Sequence, residues 1–389
     1  MTDGPYELPP GWRWVTLGEV AKAVNGYGFP KKFQGSKRLP IPFVKVSDLN
    51  KTENEREVTC AENYVDDDIL SSLQARAYDP GTVVFPKIGG AIATNKKRKL
   101  GVRATFDNNI MGLVPDVSLV DTDYLLYFMN TVDLRKLSQV GPVPSIRQSA
   151  VNVIPLPLPP LEEQRRIVAR IEELMGKIRE ARRLREEAKH DADRLMPAAL
   201  AEVFPRPGAN LPAGWCCVRL REVCHLYQPK TITTKDMLSH PGPYPVFGAN
   251  GIIGNYHKYN HETEEVIVTC RGATCGTVNI SQPKSWITGN AMVVRPVVAS
   301  IRKVFLFWVL RATNLAAATS GSAQPQITRT TLSPTLIPLP PLDEQRRIVA
   351  YLDAVQEKAK ALQQAQAETD TELRRLEQSI LAAAFRGKL

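Results

Sequence analysis

Two stretches of the chain repeat apolar residues at heptad spacing for long enough to predict coiled-coil helices. In the first, Ile167, Ile171, Leu174, Ile178, Ala181, Arg185, Ala188, Ala192, Leu195 and Ala199 form a seam that is apolar at nine of ten positions. In the second, Ile348, Leu352, Val355, Ala359, Leu362, Gln366, Thr369, Leu373, Leu376 and Ile380 hold the same frame, with Gln366 where the first has Arg185. So narrow a stripe is the signature of helices that pair through knobs and holes. Each seam follows a Pro-Leu-Pro-Pro lead that cannot be helical. The carboxylates that come next, Glu162-Glu163 and Asp343-Glu344, sit in the first turn and favour the helix dipole. Each helix is predicted to run for at least roughly 34 residues, or about 50 Å. Pro197 should kink or end the first near its last turns, where the second has Gln378 and can continue.

The seams belong to a larger duplication. Pro159 to Ile171 reads PPLEEQRRIVARI and Pro340 to Leu352 reads PPLDEQRRIVAYL, ten of thirteen positions being identical at an offset of 181 residues. The same offset pairs Pro144-Ser145-Ile146 with Pro325-Gln326-Ile327, Arg194-Leu195 with Arg375-Leu376, and Phe204 with Phe385. About sixty residues therefore repeat without a gap, as in a tandem array of two units. A second repeat opens each half, LPPGW at Leu8 to Trp12 and LPAGW at Leu211 to Trp215. The predicted fold class is α+β: two mixed α/β modules separated by two long helices that form an antiparallel coiled coil, with a pseudo-two-fold internal repeat. The boundaries are 1–158 for the first module, 159–204 for the central helix, 205–341 for the second module and 342–389 for the C-terminal helix. An antiparallel pair within the chain is preferred over pairing between chains, because the second module must return the chain to the start of the second helix.

Inside the modules the pattern changes to short strands. Ile41 to Val46 and Gly81 to Lys87 read as strands, with Ile88-Gly-Gly and the basic run Lys96 to Lys99 in the loop that follows. In the second module Tyr244 to Gly248 leads to the turn Ala249-Asn250-Gly251, and Glu265 to Cys270 leads to the loop Arg271 to Thr274. Gly289-Asn290-Ala291 opens the strand Met292 to Pro296, and Val304 to Leu310 reads as a buried element. Short strands joined by polar Gly/Asn loops suit side chains that reach base edges, although each loop taken singly is equally an ordinary turn.

Composition sharpens this picture at one point. Of a net charge of +10, residues 1–158 contribute +2 and residues 205–341 contribute +8, while both helical segments are neutral. Balanced helices beside basic modules suggest that the helices meet protein and the modules meet a polyanion. The six cysteines, Cys60, Cys216, Cys217, Cys224, Cys270 and Cys275, follow no scaffold spacing and read as reduced core thiols rather than metal ligands. No apolar run is long enough to span a membrane, and MTDGPYELPPGW has neither the basic head nor the apolar core of a signal peptide. A soluble, cytoplasmic protein is expected.

Catalytic signatures do not emerge. A methyltransferase needs a glycine-rich cofactor loop and an NPPY- or DPPY-like motif for the flipped base, and a motor needs GxxxxGK[ST]. Neither set occurs, and Gly248 to Gly254 (GANGIIG) has the wrong glycine spacing for a dinucleotide loop. Asp66-Asp67-Asp68 and Asp79 lack the lysine of a metal-dependent nuclease and read as an acidic loop. No catalytic residue and no metal ligand is predicted.

The duplicated PLPPLxEQRRIVA motif, the long helix after it, the LPxGW entries, the GANGIIG turn and the terminal FRGKL resemble the specificity subunits of type I restriction–modification systems over essentially the whole chain. The resemblance implies that each module is a target recognition domain reading one half of a bipartite, asymmetric double-stranded DNA sequence. It implies that the helices act as a ruler and dock two methyltransferase subunits, and that motor–nuclease subunits join the full complex. The cofactors would then belong to those partners, S-adenosylmethionine to the methyltransferase and ATP and Mg to the motor–nuclease, with none in this chain. A rival reading, a coiled-coil protein adaptor without sequence-specific DNA binding, leaves the basic second module without a purpose.

Phosphate contacts come from Lys and Arg, and base readout from Arg, Asn, Gln and Thr in the major groove. The candidates in the first module are Lys45, Lys87, Lys96, Lys97, Arg98, Lys99 and Arg147. Those in the second are Asn250, Arg271, Thr274, Gln324, Gln326 and Arg329, with Arg147 at the repeat position of the stretch from Gln326 to Arg329.

Overall fold

The computed structural model describes residues 4–139, 141–206, 208–248, 250–272, 274–321 and 325–389. It divides into two compact units, Met1–Arg183 with Thr369–Leu389, and Leu184–Glu368. The division falls inside both long helices, Leu161–Val203 and Leu342–Ala384. Neither helix therefore stands as a body of its own: each unit owns one module, one part of the first helix and one part of the second.

In the first unit, five strands lie in the order Ala21–Asn25, Ile110–Pro115, Val83–Pro86, Arg98–Leu100 and Glu57–Val58. Their central members bury Val83, Val84, Phe85, Ile110 and Leu113 completely. An uninterrupted apolar run of this kind is what a sheet covered on both faces requires. One face packs on the helix Thr122–Thr131. A smaller sheet joins Tyr64–Val65, Ile41–Val44 and Thr105–Phe106. The second unit repeats the plan with four strands, Cys224–Tyr227, Ala291–Pro296, Val266–Thr269 and Val278–Ile280. Its smaller sheet is Gly251–Tyr256, Tyr244–Gly248 and Trp286–Ile287, and Lys303–Ala312 is the helix that answers Thr122–Thr131. The apolar stretch around Val304 to Leu310 is thus that helix, with Phe305, Leu306, Trp308, Val309 and Leu310 buried.

Each module is closed where it begins. The strand after the LPxGW turn pairs antiparallel with the proline-rich lead to the long helix, Arg13–Thr16 with Pro155–Leu158 and Cys216–Arg219 with Leu336–Leu339. Next to this seal, the glutamine of each EQRR motif is fully buried and bonded three times. Gln164 accepts from the Asp121 N–H at 2.8 Å and donates to the Leu119 and Pro159 carbonyls at 3.0 and 2.9 Å. Gln345 accepts from the Arg302 N–H at 2.9 Å and donates to the Ser300 and Pro340 carbonyls at 2.7 and 2.9 Å. Both side chains clamp the helix start to its module, a role that the motif alone does not disclose.

Within each unit the helical segments run antiparallel. In the first, Ile167, Ile171 and Ile178 share a core with Ile380, Leu381, Ala384 and Phe385, and Arg182 pairs with Glu377 at 2.7 Å. In the second, Ala199 and Phe204 share a core with Ile348 and Leu352, and Tyr351 donates to Glu202 at 2.9 Å. The heptad assignment needs correction at three positions. Ile167, Ile171, Ile178, Ala192, Ala199, Ile348, Leu352, Ala359 and Ile380 are buried, and Leu174, Val355 and Leu373 half-buried. Leu195, Leu362 and Leu376 are instead 40%, 37% and 50% exposed. Ala192 and Ala199 on either side of Leu195, and Ile380 beyond Leu376, stay buried, so these leucines are left partly open beside a seam that itself remains inward. Met175, outside the seam, is buried in exchange. Pro197 does not end its helix, which continues to Val203.

Two further readings change. Asp66 caps the short helix Asp67–Ser72 by accepting from the Ile69 N–H, so the acidic run is a helix start rather than a loop. Cys224 and Cys270 are core thiols whose pKa burial pushes up to about 12 and about 11. Cys216 and Cys217, however, are exposed.

Candidate nucleic-acid interface

The two modules build the same junction from different residues. In the first, the strand Val83–Pro86 continues to Lys87, and Ile88 bridges Ser145. The Ile146 N–H donates to the Lys87 carbonyl at 2.9 Å and the Gly89 N–H to the Pro144 carbonyl at 2.8 Å. In the second, Val266–Thr269 continues to Cys270, and Arg271 bridges Gln326. The Ile327 N–H donates to the Cys270 carbonyl at 2.9 Å. The segments Pro144-Ser145-Ile146 and Pro325-Gln326-Ile327, matched in the sequence, are thus matched as the extended segments that cross the end of each main sheet. A short helix follows each crossing, Gln148–Asn152 and Arg329–Leu332.

This junction gathers part of the candidate set. Arg271, Thr274 and Arg329 are exposed, and Gln326 is half-buried beside Arg271. Arg271 and Arg329 form no ion pair among the described residues. At the first junction Arg147 is exposed, while Lys87 donates to Asn25 Oδ1 at 2.7 Å and burial holds its pKa below the usual lysine range. Asn250 lies elsewhere, at the turn between Tyr244–Gly248 and Gly251–Tyr256, and accepts from Asn279 Nδ2 at 3.2 Å. Lys45 lies over the Phe29 ring at 5.3 Å and donates to Gln34. Gln324 lies outside the described residues.

A family model described as the type I restriction modification DNA specificity domain matches residues 9–190 and 212–369. The chain belongs to this family. Both matched segments contain one of the junctions, so each specificity domain carries its own. A crystal structure of the HsdS subunit from Thermoanaerobacter tengcongensis is 32% identical, with coverage of 100% of both chains and a TM-score of 0.63. A second solved structure, from work on complex assembly and conformational transition of the type I R-M system, is also 32% identical, covers 99% of this chain and 100% of its own, and reaches a TM-score of 0.81. A stretch of 110 residues is 34% identical to the EcoprrI specificity subunit of Escherichia coli, spanning 28% of this chain and 27% of that protein.

The basic run of the first specificity domain is not the free loop that its composition suggests. Arg98 and Lys99 belong to the strand Arg98–Leu100. Lys97 is 3% exposed and donates to Asn95 Oδ1 and the Val132 carbonyl. Burial brings its pKa down to about 8. Arg98 donates to the Lys97 carbonyl, and burial lowers its pKa too. Lys99 pairs with Asp123 at 2.8 Å and Glu57 at 3.0 Å. Only Lys96 reaches outward, donating to Asn50 at 2.7 Å. Four consecutive cations cannot all face solvent once a strand runs through them, because successive side chains point to opposite faces.

Among the described residues no group of three or more His, Cys, Asp or Glu side chains is placed to hold a metal ion. No helix among the described residues is long and apolar enough to cross a membrane.

Proposed function

We propose that each of the two domains reads one half of a bipartite, asymmetric sequence on double-stranded DNA, and that the junction residues carry the readout. The observation that carries this reading is the duplicated junction itself. At the same place in each domain, a crossing segment sets a basic or amide side chain beside the end of the central strand: Lys87 and Arg147 in one, Arg271, Gln326 and Arg329 in the other. Arg and Gln are the side chains that make bidentate contacts with guanine and adenine edges. Lysines elsewhere on the domains supply salt-dependent phosphate affinity.

The paired helices dock two methyltransferase subunits and set the spacer between the half-sites, and motor–nuclease subunits complete the assembly. The chain itself selects the site and carries no chemistry. S-adenosylmethionine belongs to the methyltransferase, ATP and Mg to the motor–nuclease, and the complex acts in the cytoplasm. The neutral charge of both helices beside a basic second domain supports protein contacts on the helices and DNA contacts on the domains.

The test is methylation mapping in a host that expresses this chain with its methyltransferase, against the methyltransferase alone. Methylated adenines at a bipartite motif that requires the chain are the expected result. Arg271→Ala should relax only the half-site read by the second domain. A heptad inserted near Ala181 should change the spacer and leave both half-sites intact. Copurification of the two proteins without any motif would favour the adaptor reading and withdraw the DNA assignment.

A further inference from the structure

The first domain closes one edge of its main sheet with a strand of its own, and the second domain leaves that edge open. Glu57–Val58 runs parallel to Arg98–Leu100. The Lys99 and Gly101 N–H groups donate to the Arg56 and Val58 carbonyls at 3.1 and 3.0 Å. Arg56, on the added segment, lies 5.7 Å from the Tyr127 ring and pairs with Asp123 at 2.9 Å and Glu172 at 2.5 Å. In the second domain the corresponding strand is Val278–Ile280: Ile280 opposes Val266 as Lys99 opposes Val83. It is the last strand of its sheet, with no further neighbour among the described residues. The Ser281 N–H donates to the Glu265 carbonyl at 2.9 Å. Hydrogen-bonded and non-bonded pairs alternate along an antiparallel ladder, so the N–H and C=O of Ile280 point outward.

A groove of about 470 Å³ runs beside this edge, lined by Val278, Asn279, Ile280, Phe307, Arg311 and Gln356 among others. Arg311 lies 5.2 Å from the Trp308 ring, and Trp308 holds the repeat position of Tyr127. Arg311 thus takes the place over the aromatic ring that Arg56 takes in the first domain. The carboxylates that receive Arg56 have no working counterparts. Asp123 corresponds to Val304, and Glu172 to Asp353, which accepts from Trp308 Nε1 at 2.9 Å. Arg311 has no carboxylate within ion-pair distance among the described residues, and burial pulls its pKa below the usual arginine range. Gln356, at the position of the buried Met175, has a buried Oε1 that accepts no hydrogen bond.

We propose that this groove docks an extended segment of a partner protein, which adds a strand to Val278–Ile280 and presents an Asp or Glu side chain to Arg311. Strand addition to an open edge is a recurrent mode of peptide recognition. The first domain shows the form of the occupant, since what covers its matching edge is backbone. Charge selects the side chain, because Arg311 lacks only an acid. The buried Gln356 Oε1 wants a donor, which a peptide N–H supplies and a phosphodiester does not.

The probe is a blocked, fluorescently labelled peptide copying Asn54 to Thr59 with Arg56→Glu, added to the full chain and followed by anisotropy. Saturable binding is expected, weakened about tenfold or more by Arg311→Glu, as befits loss of a charge-assisted pair. The same peptide with Arg56→Lys should recover binding on the Arg311→Glu chain, which an unfolded variant cannot do. N-methylation of the peptide at the position of Val58 should abolish binding. Absence of saturable binding, or binding indifferent to Arg311→Glu and to N-methylation, overturns the proposal. So does a loss of duplex-DNA affinity in Arg311→Glu with peptide binding intact, which would assign the groove to nucleic acid.

Discussion

In the first domain the acids nearly balance the basic residues, seventeen against nineteen over residues 1–158, whereas in the second they fall far short. Lys99 is held by Glu57 and Asp123, Arg56 by Asp123 and Glu172, Lys51 by Asp48 and Glu62, and Arg103 by Asp67. Residues 205–341 contain five acids against thirteen Lys and Arg. Four of those acids pair with Arg295, Lys303, Arg219 and Lys284, and Arg271, Arg329 and Arg311 are among the cations left without an ion pair among the described residues. A count of cations is therefore a poor guide to a polyanion surface. What attracts phosphate is the excess of cations over carboxylates, +2 in residues 1–158 and +8 in residues 205–341, so that excess lies in the second domain.

The comparison breaks most visibly at the aromatic plugs that end each long helix. Phe385 makes edge contacts to Tyr124 at 5.1 Å and Phe128 at 5.4 Å. Its counterpart Phe204 has one tilted contact, to Phe305 at 5.9 Å, and borders a groove of about 630 Å³. Phe385→Ala should cost about 3–5 kcal/mol, and Phe204→Ala about 3 kcal/mol or less because its site is already partly open. Urea unfolding of both variants, followed by hydrogen exchange in each unit, measures this. A larger effect at Phe204 would mean that the second unit is the tighter one.

The glutamine clamps test the opposite claim, that the units are equivalent where their sequences repeat. Gln164→Ala and Gln345→Ala each strand one N–H and two carbonyls, which should cost about 2–3 kcal/mol apiece by the penalty for unmade buried bonds. Thermal unfolding should show nearly equal losses, and a clear inequality would refute structural equivalence. At the junctions the expected effects are smaller and unequal. Arg271→Ala should lose about 1–3 kcal/mol of discrimination at its half-site. Lys87→Ala should lose less, since Lys87 is tied to Asn25, and should lower the salt slope by about one unit. Competition binding at two salt concentrations separates the two.

Much of this was legible in the sequence, and the failures have physical causes. The duplicated EQRR segment marked both long helices and the matching of Pro144-Ser145-Ile146 with Pro325-Gln326-Ile327. Their antiparallel sense followed from the need for the second module to return the chain to the second helix. The strands around Val83 and Val266 were read from apolar runs. What composition could not resolve was partnership. Lys97, Arg98 and Lys99 look like a DNA-binding loop until Asn95, Val132, Asp123 and Glu57 are brought beside them by long-range pairing. Leu195, Leu362 and Leu376 fit a heptad on paper but are left partly open to solvent while their seam neighbours Ala192, Ala199, Ala359 and Ile380 are buried, a difference that spacing alone does not disclose. The added strand Glu57–Val58 is too short for any periodicity to reveal, and so the open edge at Val278–Ile280 could not be inferred either.

Lys97 gives the finest test of the difference between the domains, because its charge is enclosed where the cations of the second domain are exposed. Its pKa lies at about 8 in the folded protein, well below the value of about 10.4 for a free lysine. Between those values the unfolded chain holds more protons than the folded one, so stability rises with pH. The penalty for burying the cation is present in full below about pH 8 and is relieved as pH climbs towards 10. Lys97→Met removes the titrating group and should flatten that rise, while leaving the rest of the pH profile unchanged. Unfolding midpoints in urea at pH 7, 8.5 and 9.5 measure it. If the wild-type midpoint fails to rise relative to Lys97→Met over this range, Lys97 is not enclosed as described, and the basic run returns to the list of surfaces open to DNA.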